Sequence, residues 1–483
     1  MLFTHPFFLF CFLPAVLGSY YLAPRKARNA VLSLASLIFY ASGEWGFVGW
    51  LVASVAVNYW IGRGIQLTRG RPWAKWLLAI GLTSDLALLI VFKYGGFLVG
   101  NLDLLLGALH AWRLPVPHLL LPLGISFFTF HKITYKVDVY RGVAEAKRKP
   151  FDLALYILFF PQLIAGPIVR YHEIAAELER RCYRREDFAE GVRRFITGFG
   201  RKMIVANPAG YCADRIFALS AHDLTTSLAW LGLVCYAVQI YFDFAGYSDM
   251  AIGLARIFGF HFPENFNYPY LATSVTEFWR RWHMSLSRFF RDYLYIPLGG
   301  NRISPARTYG NLVVVFFLCG LWHGASWTFV IWGMTHGALL VIERAGCGRV
   351  LARLPRPVRH AYALLAVGLA WVFFRADTFT HAISYFAALF GHAGGQGVRY
   401  YPALYLDHEL LFALAVGIIG STSVVGRVRQ AVERLSTAPG AAPGAAARVS
   451  LALAEVTVFP IILGYSLMLA AAGTYNPFIY FRF

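Results

Sequence analysis

Apolar runs alternate with short basic segments along the first third of the chain, and this pattern restricts it to helices threaded through a lipid bilayer. The runs cover 7–23, 30–42, 46–61, 76–99 and 119–135, and they are punctuated by Arg25-Lys26-Ala27-Arg28, by Arg63, Arg69, Arg71 and Lys75, and by Lys136, Arg141, Lys147, Arg148 and Lys149. Hydrocarbon offers no partner to a backbone N–H or C=O, so a spanning segment must satisfy its own, and about 20 apolar residues make one helical crossing. Only 14% of the 483 residues are charged, against about 25% in soluble domains, which excludes a large soluble core. The net charge of +19 lies between the apolar runs, where it marks cytoplasmic loops and attraction to anionic lipid rather than nucleic-acid binding. The positive-inside rule places 24–28, 62–75 and 136–150 in the cytoplasm, and 42–46, 100–118 and the N-terminus outside. The first run lacks a basic n-region and a convincing cleavage site, so it is expected to be a retained span.

The alternation breaks at 152–169, which contains Pro161, Gly166 and Pro167 and has basic segments on both sides. That pattern predicts an element that dips in and returns, followed by amphipathic helices on the cytoplasmic face over 173–202. Further apolar runs lie at 228–258, 311–342, 360–374, 410–425 and 451–472, and 436–448 (STAPGAAPGAAAR) reads as a surface linker. There is no internal repeat. The six cysteines show no CxxC and no metal-like spacing with histidine, which argues against a zinc site or a disulfide framework. The expectation is one all-α polytopic membrane domain over 1–483, with N-terminal spans at 1–150, a core at 151–345 and C-terminal spans at 346–483. It has roughly ten to twelve spans or dips.

Residues 311–342 hold no Asp, Glu, Lys or Arg, yet they contain His323 and His336. The run is long enough for one crossing plus a break, and Gly320-Leu321-Trp322-His323-Gly324 places two glycines around a Trp-His pair, as a close approach or local break requires. An ionisable group at membrane depth marks a functional position or a hydrogen-bonded structural one. The densest constellation is Thr276–Ser287, which contains Trp279, Arg280, Arg281, Trp282 and His283 and leads into Arg288 and Arg291. On a helix, residues three apart share a face, so Arg280 with His283 and Trp279 with Trp282 would present guanidinium and aromatic groups to an anionic, ring-bearing ligand. An interfacial helix with arginines at headgroups and tryptophans in the aromatic belt has the same composition, although it has no need of an imidazole. Asp243 and Asp249, in an otherwise apolar run, each require a partner: an arginine of 280–291, a substrate or an imidazole. There is no GxxxxGK[ST], HExxH or GxSxG, so ATPase, metalloprotease and hydrolase readings have no support.

At these residues the chain resembles the membrane-bound O-acyltransferase superfamily, and within it the bacterial branch of alginate O-acetyltransferases and D-alanyl transfer proteins. The matching blocks are 121–142, 159–171, 241–260, 266–302 (through Trp-Arg-Arg-Trp-His-Met-Ser), 320–337 (Gly-Leu-Trp-His-Gly onward), 370–379 and the terminal YNPFIYFRF at 475–483. They occur in one order over nearly the whole chain. The resemblance implies a ring of helices with re-entrant elements around a central funnel or tunnel. The family's catalytic histidine falls on His323 and its second characteristic histidine on His283, while His336 matches less well. From the chemistry of the residues themselves, the candidate substrate-binding set is Arg280, Arg281, Trp279, Trp282, Trp322 and Asp243. The His131-Lys132 pair departs from the family pattern.

The expected reaction passes an acetyl group from cytosolic acetyl-CoA across the bacterial inner membrane for O-acetylation of a secreted polysaccharide such as alginate. The expected partners are membrane lipid, acetyl-CoA, an extracytoplasmic SGNH-type acetyltransferase and the polysaccharide, without nucleic acid, metal or a permanently bound cofactor. D-alanyl or other acyl transfer to an envelope polymer is the nearest alternative. A transporter using His323, His283, Asp243 and Asp249 as a relay is the alternative from another class, and a non-catalytic scaffold for secretion is a third.

Overall fold

The computed structural model describes residues 1–110, 113–117, 119–437, 441–473 and 475–477, and among them helices are the only long regular elements. Five helical stretches are long and apolar enough to cross a membrane, namely 28–67, 72–108, 226–257, 356–375 and 453–471, and a bent pair over 408–432 makes a sixth if counted as one span. Large apolar side chains such as Leu22, Trp60, Trp76, Ile80 and Val456 stand exposed on or beside these helices. Soluble monomers rarely expose such surfaces; a bilayer covers them. The chain is a multi-pass membrane protein. The expected outer loop at 100–118 is corrected: helix continues from Gly95 to Ala108, and residues 111, 112 and 118 lie outside the described ones. The expected linker at 436–448 is mostly helical too, because one helix runs to Thr437 and the next starts at Ala441, with 438–440 outside the described residues.

The chain forms two compact units. The first contains Met1–Val192, Ala251–Pro263 and Arg288–Leu294. Its main helices are α1 (Arg28–Glu44), α2 (Val48–Leu67), α3 (Pro72–Leu89), α4 (Ile125–Arg141), α5 (Pro150–Leu158) and α6 (Tyr171–Glu179). Pro72 and Pro150 open α3 and α5 at the position where a missing N–H costs nothing. Gly124 and Gly142, both at φ +74°, bracket α4 in the left-handed region that glycine tolerates. The nine-residue α5 rises about 13 Å, too little to cross. Phe3, Phe8, Phe12, Phe39 and Phe160 form one buried aromatic cluster.

Deeper in this unit α4 carries Lys132 and Lys136 to a single buried carboxylate. Asp85 lies 3.2 Å from Lys132 Nζ and also pairs with Lys136, whose amine donates to Asn58 Oδ1 at 2.7 Å and to the Gly81 carbonyl at 2.6 Å. Lys132 donates in addition to Ser54 Oγ at 2.9 Å. Lower on α4, Asp138 accepts from the His172 backbone N–H at 3.0 Å and the Tyr293 hydroxyl at 2.7 Å, with His172 Nδ1 at 2.8 Å.

The second unit contains Arg193–Met250, Glu264–Ser287 and Tyr295–Phe483. It holds the larger part of the long helix α8 (Thr226–Ile257), through Met250, and the end of α7 (Arg185–Gly200), from Arg193; 78% of the most apolar stretch of α8 is buried against 6% for Leu453–Ala471. α8 therefore serves as the interior post of the unit, while the C-terminal helix presents itself to lipid. The unit also contains α9 (Val275–Arg281), the start of α10 (Met284–Phe290), α11 (Pro305–His323), α12 (Trp327–Ile342) and α13 (Arg356–Arg375).

Candidate active site

The uncharged run 311–342 is not one crossing with a break; it doubles back as a helical hairpin. Gly320 lies against Phe329 and Gly333, Gly333 against Phe316, and Gly337 against Phe316 and Leu312, a progression that only antiparallel helices produce. A Cβ on Gly333 would lie 2.9 Å from Gly320 Cα and closer still to the Phe316 carbonyl. The glycines thus let the backbones of α11 and α12 approach where side chains would hold them apart.

His323 is the last residue of α11, followed by the extended Gly324. It is 5% exposed, and its ring centroid lies 4.7 Å from Trp322, 4.9 Å from Trp332 and 5.0 Å from Phe374. The aromatic rings enclose the imidazole in an apolar setting. His336, one face further along α12, accepts at Nδ1 from the Trp279 indole N–H at 3.3 Å, which leaves its proton on Nε2.

His283 lies elsewhere than the helix-face reading expects. α9 stops at Arg281, Trp282 is extended (φ −101°, ψ 130°), and His283 takes φ +43° before α10 begins at Met284. Arg280 and His283 therefore do not share a helical face, nor do Trp279 and Trp282. The turn is held by a distant strip of chain: Asn267 N–H donates to the Arg281 carbonyl at 2.9 Å, and Met284 N–H to the Asn265 carbonyl at 2.9 Å. A left-handed non-glycine residue is uncommon and persists where its surroundings over-determine it. Here the Asn265 side-chain oxygen accepts from the Ser285 backbone N–H at 3.2 Å and its hydroxyl at 2.9 Å, and lies 3.1 Å from His283 Nδ1. An oxygen acceptor at Nδ1 fixes the proton there and leaves the ring's lone pair on Nε2. The rings of His283 and His323 both approach Trp322, at 6.0 Å and 4.7 Å between centroids.

The remaining sequence-nominated residues divide into core and surface. Trp279 and Trp282 are buried; Trp282 stacks on Phe278 at 5.4 Å and meets Trp371 at 5.1 Å, so they build the wall of the aromatic core. Arg281 pairs with Glu277 at 2.8 Å, whereas Arg280 is exposed. Asp243 pairs with Lys202 at 2.9 Å, and Asp249 with Arg194 at 2.7 Å and with Arg201. Both aspartates thus pair with basic residues of 194–202, where the sequence reading looked to the arginines of 280–291.

Asn265, Trp332, Phe374 and Glu343 escaped the sequence reading. Glu343, 6% exposed, accepts from the backbone N–H groups of Val275 and Thr276 at 2.7 and 2.9 Å and from the Tyr362 hydroxyl at 3.2 Å, capping α9 from outside its own segment. A buried carboxylate one residue past an apolar run carried the signal that something must satisfy it.

Residues 147–376, which hold both histidine turns, match the family model described as MBOAT, the membrane-bound O-acyltransferase family. Across its full length the chain is 40% identical to a probable alginate O-acetylase of Azotobacter vinelandii, all of which is covered. It is 36% identical to the peptidoglycan O-acetyltransferase of Helicobacter pylori, over 82% of this chain and 80% of that one. It is also 32% identical to the teichoic acid D-alanyltransferase of Bacillus subtilis, over 46% of this chain and 59% of that one. Full-length similarity at this level, with an enclosed histidine at the tip of a glycine-packed hairpin, places the chain in the membrane-bound O-acyltransferase family as an O-acyltransferase.

Proposed function

We propose that the protein takes an acetyl group from cytosolic acetyl-CoA and passes it across the bacterial inner membrane for O-acetylation of a secreted polysaccharide, with alginate the first candidate. The observation that carries the reading is His323, a base enclosed by Trp322, Trp332 and Phe374 in a chain 40% identical end to end to a probable alginate O-acetylase. His323 accepts the proton of an acceptor hydroxyl as its oxygen attacks the thioester carbonyl. The C–S bond then breaks and the thiolate leaves, taking up a proton. General-base assistance is worth about 10²–10⁴-fold. His283, oriented by Asn265, polarises or positions a reactant through Nε2. The exposed Arg280, with Arg281, meets the phosphates of the donor, Trp279, Trp282 and Trp322 wall the site, and Asp243 acts through its Lys202 pair. A long hydrophilic polymer cannot readily thread such a protein, so the acetyl group leaves on the hydroxyl of an extracytoplasmic SGNH-type partner or a small carrier. D-alanyl transfer is the second reading, favoured by the similarity to the teichoic acid D-alanyltransferase.

The test is reconstitution of purified protein with labelled acetyl-CoA, with and without periplasmic extract. His323→Ala and His323→Gln are expected to abolish label transfer while thermal stability stays close to wild type. Retained transfer in either variant overturns the role of His323, and efficient acetylation of free polymer by the protein alone overturns the relay.

A further inference from the structure

At one end of the second unit, away from His323, a cavity of about 400 Å³ is lined by Thr273, Ser274, Thr276, Glu343, Arg344 and Arg359, among others. Its charges do not cancel. Glu343 is the one carboxylate in the lining, and its oxygens are engaged by Val275, Thr276 and Tyr362. Neither Arg344 nor Arg359 has an ion pair or hydrogen bond among the described residues. Arg359 is half-buried, and its Nε–H is shut away from solvent without an acceptor. The terminal nitrogens of Arg359 and the guanidinium of the exposed Arg344 are the donors open to the cavity, and an anion there would accept from them.

We infer that this cavity is a binding site for a phosphate group, gripped by Arg344 and Arg359. Guanidinium is the side chain that matches phosphate oxygens with paired N–H donors, and the cavity is wide enough for a phosphate together with the group that bears it. The surrounding segment supports the same chemistry. From the end of α12 into the first turn of α13 the chain runs through Arg344, Arg349, Arg353, Arg356 and Arg359 with Glu343 alone opposing them. The positive-inside rule assigns such a segment to the cytoplasmic side, where phosphodiester headgroups of anionic lipid and soluble phosphate compounds are both at hand. The two sources share the recognised group. The occupant ties the start of α9, which Glu343 caps, to the start of α13. The inference goes beyond the acyl-transfer reading, because it requires only the cavity and its charges.

The test reads binding rather than turnover, so its failure is separable from failure of acetyl transfer. Full-length protein and the variants Arg359→Ala, Arg359→Lys, Arg344→Ala and Arg353→Ala are purified in detergent, and their folding is checked by circular dichroism. One arm titrates inorganic pyrophosphate calorimetrically. The other measures phosphatidylglycerol retained in native mass spectra after exchange from phosphatidylglycerol/phosphatidylcholine nanodiscs. In at least one arm, Arg359→Ala and Arg344→Ala are expected to weaken binding by about tenfold or more, the loss of a charge-assisted hydrogen bond. Arg359→Lys is expected to fall between these and wild type, and Arg353→Ala, outside the cavity, to bind as wild type. Loss in the pyrophosphate arm assigns a soluble phosphate compound, and loss in the lipid arm a headgroup. If neither probe binds, or if all variants bind both equally, the inference is overturned. The exposed Arg344 keeps the test decisive should Arg359→Ala fail to fold.

Discussion

Gly333→Ala tests whether the close crossing of α11 and α12 sets the position of His323. The added Cβ would lie 2.9 Å from Gly320 Cα and 3.0 Å from Gly320 N, and nearer still to the Phe316 carbonyl. Carbon atoms in ordinary contact sit about 3.5–4.0 Å apart, so the helices must separate locally by roughly 0.5–1 Å. Overpacking of this kind costs about 1–3 kcal/mol. The better helix propensity of alanine returns up to about 1 kcal/mol. Because the clash is against backbone at three points, the cost wins, and net destabilisation of about 1–2 kcal/mol is expected. Turnover should suffer more: His323 is one helical turn from Gly320, and a misplacement of about 1 Å costs around 100-fold. Gly310→Ala is the control, since a Cβ there meets nothing within 4 Å on the same helix. The assays are labelled acetyl transfer and the thermal unfolding midpoint in detergent. Wild-type turnover and midpoint in Gly333→Ala, or an equal loss in Gly310→Ala, would refute the argument.

Asn265→Ala is expected to lower kcat roughly 10- to 100-fold with little change in KM, because the His283 ring loses its orienting acceptor, while Asn265→Asp, which keeps an oxygen there, loses less; a pure KM effect would count against it. Asp85→Asn strips the carboxylate shared by two buried ammonium groups and should cost about 3–5 kcal/mol, read as a fall in unfolding midpoint and yield; unchanged stability would show that the amines are neutral. Burial alone would raise the Asp292 carboxyl, but Arg291 and Arg170 outweigh it and hold it below the ordinary carboxylate value. Its stabilising contribution is therefore complete above about pH 4 and lost as pH falls below that. The midpoint difference between wild type and Asp292→Asn should narrow on acidification through that range, and a gap that stays constant to pH 3 would contradict it.

Local pattern carried the helices and the all-α membrane class: apolar runs near 20 residues, prolines at helix starts and glycines at breaks all act within a few residues. The Gly320/Gly324 pair likewise marked where the uncharged run turns. Contacts between distant segments were not legible. Nothing in Trp-Arg-Arg-Trp-His-Met breaks a helix by propensity, and the turn at His283 exists because Asn265 and Asn267 bind the backbone on either side of it. The need of Asp243 and Asp249 for partners followed from hydrocarbon chemistry, but their identity depends on how α7 and the chain after it pack on α8. Trp332 meets His323 only because the hairpin closes.

The Asp85–Lys132–Lys136 cluster also bears on how the protein is made. Each of these residues adds about 2.5–3.5 kcal/mol to the insertion of its helix when it enters lipid alone. α4, with both lysines and Asp138, is not among the helices apolar enough to cross, and thirteen of its seventeen residues end up buried. It therefore reaches its place as a passenger of α2 and α3, whose Ser54, Asn58 and Asp85 receive its amines. Until the ribosome has released residues 125–141, Asp85 faces the bilayer without a counter-ion. A nascent chain stalled before that point is therefore expected to be degraded faster in a pulse-chase than one stalled after it.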